Sequence, residues 1–227
     1  MTRIVLYLNQ FFGQAGGEEA ADVAPRIVTD VVGPGRALAP LLAQDEELAG
    51  TIVCGDTYFA DHQERAAAEC LALLRELRPD ILLAGPAFNA GRYGVACGAL
   101  CQLAAKELSI PAVTGMFEEN PGAELYRKDV LIVRTGTNAA TMRESLGGML
   151  KLARKVNAGK PLGKPAAEGY IPQGKSRPEL ATTAIPLAAH IAARLPACRE
   201  GSAQHTAALI NLRNIRWTLA QRGPAPG

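Results

Sequence analysis

The chain has 227 residues, 48% of them hydrophobic and 20% charged, with a net charge of +2. That composition excludes a disordered, fibrous or low-complexity protein and allows a core large enough to stand without staples. Acidic residues exceed basic ones by three up to Gly174, and basic exceed acidic by five from Lys175 onward; this excess is too diffuse, and too far from any recognition motif, to predict nucleic-acid binding.

The N-terminal run MTRIVLYLNQFF turns polar at Asn9 and Gln10, too early for a signal peptide or a membrane span. Cys54, Cys70, Cys97, Cys101 and Cys198 have no repeat spacing, which predicts reduced thiols and a cytoplasmic protein with no membrane contact. Six short β-branched runs follow one another: RIVLYL from Arg3, RIVTDVV from Arg26, TIVCGD from Thr51, DILLAGP from Asp80, PAVTGM from Pro111 and DVLIVRTG from Asp129. Being continuous rather than alternating, they read as strands buried on both faces.

Between them lie helical patterns. ADHQERAAAECLALLRELRP places Ala67, Cys70, Leu71, Leu74 and Leu77 on one face and stops at Pro79, and GVACGALCQLAAKELSI does the same with Val95, Ala99, Leu103 and Leu108. NAATMRESLGGMLKLARKV opens at Asn138, a good N-cap, and turns Met142, Leu146, Met149, Leu150 and Ala153 inward. The alternation predicts an α/β domain over residues 1–159, a doubly wound, mostly parallel sheet with helices on both faces. A Pro/Gly-rich linker or extended segment follows over 160–178, and a short helical or poorly ordered tail over 179–227.

In such sheets ligands bind at the carboxyl ends of the strands. The segments that leave those ends bring Asn9, Gln10, Asp56, Asn89, Arg92, Tyr93, Glu118, Glu119 and Asn120 toward one rim. Amides, carboxylates and a guanidinium together suit a small zwitterion such as an amino acid, with Arg92 gripping a carboxylate and an acid meeting an amine. Each residue taken singly also fits an Asx turn or a helix cap; their number at one rim favours a site. No dinucleotide or P-loop glycine spacing is present. His62, His190 and His205 are scattered, so no metal site is predicted. Cys97 and Cys101, four apart on a helix, read first as small buried apolar side chains.

The segments YLNQFFGQAGGEE, GPGRAL, TIVCGDTYF, PDILLAGPAFNAGRYGVACG, IPAVTGMFEENPG and EGYIPQG, in this order from Arg3 to Gly174, resemble the selenoprotein B subunit of the glycine, sarcosine and betaine reductases, relatives of the D-proline reductase subunits. The resemblance implies a subunit of an anaerobic amino-acid reductase that cleaves the C–N bond of a small amino acid or N-methylated amine. It also implies a redox selenocysteine, a pyruvoyl group on a proprotein-derived partner subunit that holds the substrate as an adduct, and selenoprotein A as a further partner. A selenol suits such chemistry because it is ionised at neutral pH, where a thiol of pKa about 8.5 is mostly protonated.

The family's selenocysteine motif lies in a C-terminal half with no counterpart in this sequence, and the residues from Lys175 onward do not resemble the family's continuation. The expectation is a truncated or frameshifted product, or a short variant, that is inactive as this chain alone, lacks the family's selenocysteine and has catalytic residues that the sequence does not assign. Cys198 has no partner cysteine beside it and is not assigned the redox role. Two alternatives stand beside this reading: a non-catalytic module that binds a small molecule or a partner, and a cofactor-free two-thiol enzyme of the racemase type using Cys54 and Cys97.

Overall fold

The computed structural model describes residues 1–174; the end of the predicted linker and the predicted tail lie outside the described residues. Six strands form one sheet: β1 (Thr2–Asn9), β2 (Arg26–Val28), β3 (Glu46–Cys54), β4 (Ile81–Phe88), β5 (Ala112–Met116) and β6 (Leu131–Arg134). Their order is β2-β3-β1-β4-β5-β6, and every pairing is parallel except that of β2 with β3. The five parallel strands follow the 2-1-3-4-5 winding of a doubly wound sheet, whose direction reverses between its first and third strands. Here those are β1 and β4.

The helices are α1 (Pro34–Leu38), α2 (Asp56–Asp61), α3 (Gln63–Leu77), α4 (Gly91–Leu108), α5 (Pro121–Tyr126), α6 (Met142–Asn157) and α7 (Pro165–Glu168). On one face of the sheet Val5, Tyr7, Ile52, Leu82 and Ala84 pack with side chains of α2 to α5. On the other, Ile4, Leu6, Leu83, Val113 and Val133 pack with Leu38 of α1 and with Leu146, Met149, Leu150 and Ala153 of α6. Alternate residues of β1 and β4 thus feed two cores, which is why these runs are apolar at every position; β4 is buried from end to end.

Two sequence expectations need correction. The run from Arg26 pairs only over three residues, as an antiparallel edge strand that is half-exposed rather than buried, because Asp30 and the Gly33-Pro34 turn end it. The buried side of α4 is Tyr93, Ala96, Cys97, Leu100, Cys101 and Ala104, whereas Ala99 and Leu103 are half-buried and line a groove between α3 and α4. GDTYF, just after β3, and PGAELY, beyond β5, carry the short helices α2 and α5.

Beyond α6 the chain turns back along the sheet. Ile171 N–H donates to Ile132 O at 2.8 Å and Arg134 N–H to Gly169 O at 2.9 Å, so Tyr170 bridges Val133 on the outer edge of β6, and Tyr170 and Ile171 are buried.

Candidate functional site

The reversal between β1 and β4 opens a crevice at their carboxyl ends, where the loop after β1 faces the N-terminus of α4. Asn9, the last residue of β1, is buried and bonded on both sides: its Nδ2 donates to Asp56 Oδ2 at 2.9 Å, and its Oδ1 accepts the Phe12 N–H at 2.9 Å. The neighbouring Gln10 accepts the Asp56 N–H on Oε1 at 2.9 Å. Asp56 opens α2 just after β3, so two segments distant in sequence are tied at one point. Asp56 is only 9% exposed. Its second oxygen, Oδ1, is buried without a hydrogen-bond partner. Burial pushes the carboxyl above its ordinary value, opposed by the Asn9 hydrogen bond and the charge of Arg92, with Glu18 adding to the rise.

Arg92 stands in the first turn of α4, on the opposite side of the crevice. Its Nη1 donates to Thr57 Oγ1 at 2.9 Å, and its Nη2 lies 3.2 Å from each carboxylate oxygen of Glu18. Glu18 begins a 3-10 turn in the loop after β1. The ion pair therefore joins the loop after β1 to the start of α4, next to the residue that follows Asp56. Glu18 and Thr57 carried no distinguishing signal in the sequence. Glu18 is 74 residues from its partner, and only the convergence of strand ends puts them together.

Tyr93 and Asn120 belong to the scaffold beneath. Tyr93 is fully buried, its hydroxyl donates to Tyr7 O at 3.3 Å, and its ring packs with those of Tyr7 and Phe12. Asn120 caps α5: its Oδ1 accepts the Gly122 N–H at 2.8 Å, while Nδ2 donates to Phe88 O at 2.9 Å and Ala90 O at 3.1 Å. These bonds hold the turn after β4, where Phe88 adopts the left-handed region at φ 50°, a conformation that bulky residues adopt at a cost. The glycines of GRYGVACG serve the same joint. A Cβ on Gly94 would fall 2.1 Å from Asn120 Oδ1, and one on Gly98 would fall 2.2 Å from Tyr126 Cδ2. The bare helix surface is occupied by α5.

The remaining predicted residues stand apart. Asn89 is exposed on the turn after β4. Glu118 pairs with Arg134 at 3.3 Å beside the ends of β5 and β6, and Glu119 is exposed next to it. The groove of about 1100 Å³ between α3 and α4 contains none of the crevice residues. Among the described residues no cluster of three metal-ligating side chains occurs, and no helix is long and apolar enough to cross a membrane.

Comparison with known proteins resolves the lineage. The model of the family "glycine/sarcosine/betaine reductase selenoprotein B" matches residues 1–190. The chain belongs to that family. It is 50% identical over 172 residues to the glycine reductase complex component B subunit gamma of Carboxydothermus hydrogenoformans, a match covering 76% of this chain and 40% of the relative. It is 45% identical over 172 residues to the sarcosine reductase complex component B subunit beta of Peptoclostridium acidaminophilum, covering 76% of this chain and 39% of the relative. Against the betaine reductase complex component B subunit beta of the same organism identity is 42% over 175 residues, 77% of this chain and 40% of the relative. The chain thus matches about two fifths of the length of these curated selenoprotein B relatives. The family match continues past Gly174, where the recognisable sequence motifs end. No solved structure matches the chain.

The described part of this selenoprotein B chain offers no thiol where a selenol could act. Cys54, Cys70, Cys97 and Cys101 are all buried. Burial pushes the Cys97 and Cys101 thiols up, and the neighbouring Cys54 thiol, with burial, pushes Cys70 up, which disfavours the nucleophilic thiolate. The two-thiol reading needs Cys54 and Cys97 to face a ligand, and both side chains lie inside the core against α3 and α4.

Proposed function

We propose that this chain supplies the substrate-facing domain of a B subunit in a glycine, sarcosine or betaine reductase complex, and that Asn9, Gln10, Asp56 and Arg92 hold a small amino acid, or its adduct on a partner subunit, during reductive C–N cleavage. The observation that carries the reading is the pairing of a buried acid with a forked cation across the β1/β4 crevice. A zwitterion presents the complementary charges, a carboxylate for Arg92 and a nitrogen cation for Asp56. Asn89 stands at the exposed lip of the same turn, and Tyr93 and Asn120 position the lip from below.

The burial of Cys54, Cys70, Cys97 and Cys101 supports a reading in which electron transfer falls to another part of the complex, where the family's selenocysteine and the partner's pyruvoyl group would act. By itself the domain is a binding module. The test is a chimera in which residues 1–174 replace the matching 172 residues of the Carboxydothermus hydrogenoformans relative. Assembled with the other components of that complex and a dithiol donor, the chimera is expected to reduce at least one of glycine, sarcosine and betaine. A chimera inactive toward all three overturns the proposal.

A further inference from the structure

Asp56 Oδ1 is a buried acceptor without a donor, an arrangement that costs about 1–3 kcal/mol when nothing compensates it. The rest of the residue is fully engaged: Oδ2 receives Asn9, and the backbone N–H donates to Gln10. One bond thus holds the carboxylate, a second holds the backbone of the same residue, and the other carboxylate oxygen is left unpaired. A donor arriving with a ligand would complete it.

Arg92 is held by Thr57 and faces Glu18. The Arg92 and Glu18 side chains are 50% and 80% exposed, and an ion pair so open to water contributes little, about 0–1 kcal/mol. A second carboxylate can displace Glu18 from Arg92 at small cost. The charges of Arg92 and Glu18 both reach Asp56, the first favouring its ionised form and the second opposing it. A ligand carboxylate that took the place of Glu18 would preserve that balance, and an N–H cation on the same ligand would answer Oδ1.

We propose that Glu18 is an internal stand-in for a ligand carboxylate on Arg92, displaced when a small α-amino acid enters, and that Asp56 Oδ1 receives the ligand's N–H. This rests on the crevice being the amino-acid site proposed above. Glu18 thereby sets the affinity of the site without touching the bound ligand, and Asp56 sets its preference for an amine over a plain carboxylate.

The test is binding by the full chain, followed by ligand-observed NMR with glycine and with acetate as probes. Removing the competing charge in Glu18→Gln is expected to tighten both ligands by about twofold to fivefold, the factor that corresponds to loss of a weak exposed pair. Asp56→Asn is expected to abolish the preference for glycine over acetate while acetate still binds. Unchanged or weaker binding in Glu18→Gln overturns the proposal, as does an Asp56→Asn chain that keeps its glycine preference. The two readings fail separately. An inactive chimera leaves the binding titration intact, and a Glu18→Gln chain without effect leaves chimera turnover intact.

Discussion

Gly94→Ala should be among the most damaging conservative substitutions in the domain, although it places a good helix former in a helix. The added Cβ would lie 2.1 Å from Asn120 Oδ1 and 2.6 Å from its Cγ and Nδ2, and Asn120 is fully buried. To make room, Asn120 must leave its three hydrogen bonds to Gly122, Phe88 and Ala90. At about 0.5–1.5 kcal/mol for each bond and about 1–3 kcal/mol for overpacking, less about 1 kcal/mol gained in helix propensity, the net cost is about 1.5–6.5 kcal/mol. For a domain of this size that corresponds to a fall in Tm of about 3–25 °C. Gly147→Ala is the control. It lies within α6, and its added Cβ would meet only Leu41 Cδ1 at 4.0 Å, so it should stabilise by about 0.5–1 kcal/mol. Thermal melts of the two variants and the parent chain decide the matter. A Gly94→Ala chain that melts within about 2 °C of the parent would refute the view that the α4 glycines exist for the α5 joint.

Asp56 has a folded-state pKa raised by burial, so its contribution to stability is fully present below the ordinary aspartate value and is lost as pH rises through the folded value. Asp56→Asn should therefore be more stable than the parent near pH 7 and approach it toward pH 3; urea unfolding across that range checks this, and a variant less stable at neutral pH contradicts it. Glu46 has the opposite sign. Arg154 donates from Nε to Glu46 Oε1 at 2.7 Å and holds that carboxyl below its ordinary value, so the stability it provides is present above the unfolded-state value and lost as pH falls through the folded one. Glu46→Gln should flatten the acid limb of the stability profile, measured by unfolding between pH 3 and 6. Labelling with an aromatic disulfide reagent should leave Cys54, Cys70, Cys97 and Cys101 unmodified in the native chain and modify them in urea, as read by peptide mass mapping; fast native labelling at Cys97 would contradict its burial.

How much of this could be read beforehand depended on whether the governing contact was local. The DILLA run and the spacing of Leu146, Met149 and Ala153 expose their burial directly, because strand and helix periods leave few other ways to cover those side chains. For α4 the period could not choose a face, since Val95, Ala99 and Leu103 compete with Ala96, Cys97, Leu100 and Cys101 around the same helix. The choice was made by α5, whose backbone needs the glycine side. Asn120-Pro121 did carry the signal for α5, an N-cap followed by proline at the first helical position. At the crevice, the convergence of Asn9, Gln10 and Asp56 follows from the carboxyl-end rule of the sheet. The unpaired oxygen of Asp56 and the Glu18–Arg92 contact do not, because each depends on where three separate loops finish.

The two margins of the sheet bear on how this domain can associate. On one side β2 contributes only three antiparallel residues, and on the other the chain returning from α6 lays Tyr170 against Val133 and takes up the outward amides of β6. An open strand invites another chain to add on through its backbone with little regard for sequence. Among the described residues neither margin is long or bare enough to serve as such a template. Recognition of any neighbouring subunit must then be written in side chains, on the helix surfaces or around the crevice mouth, where single substitutions can change which partner is accepted.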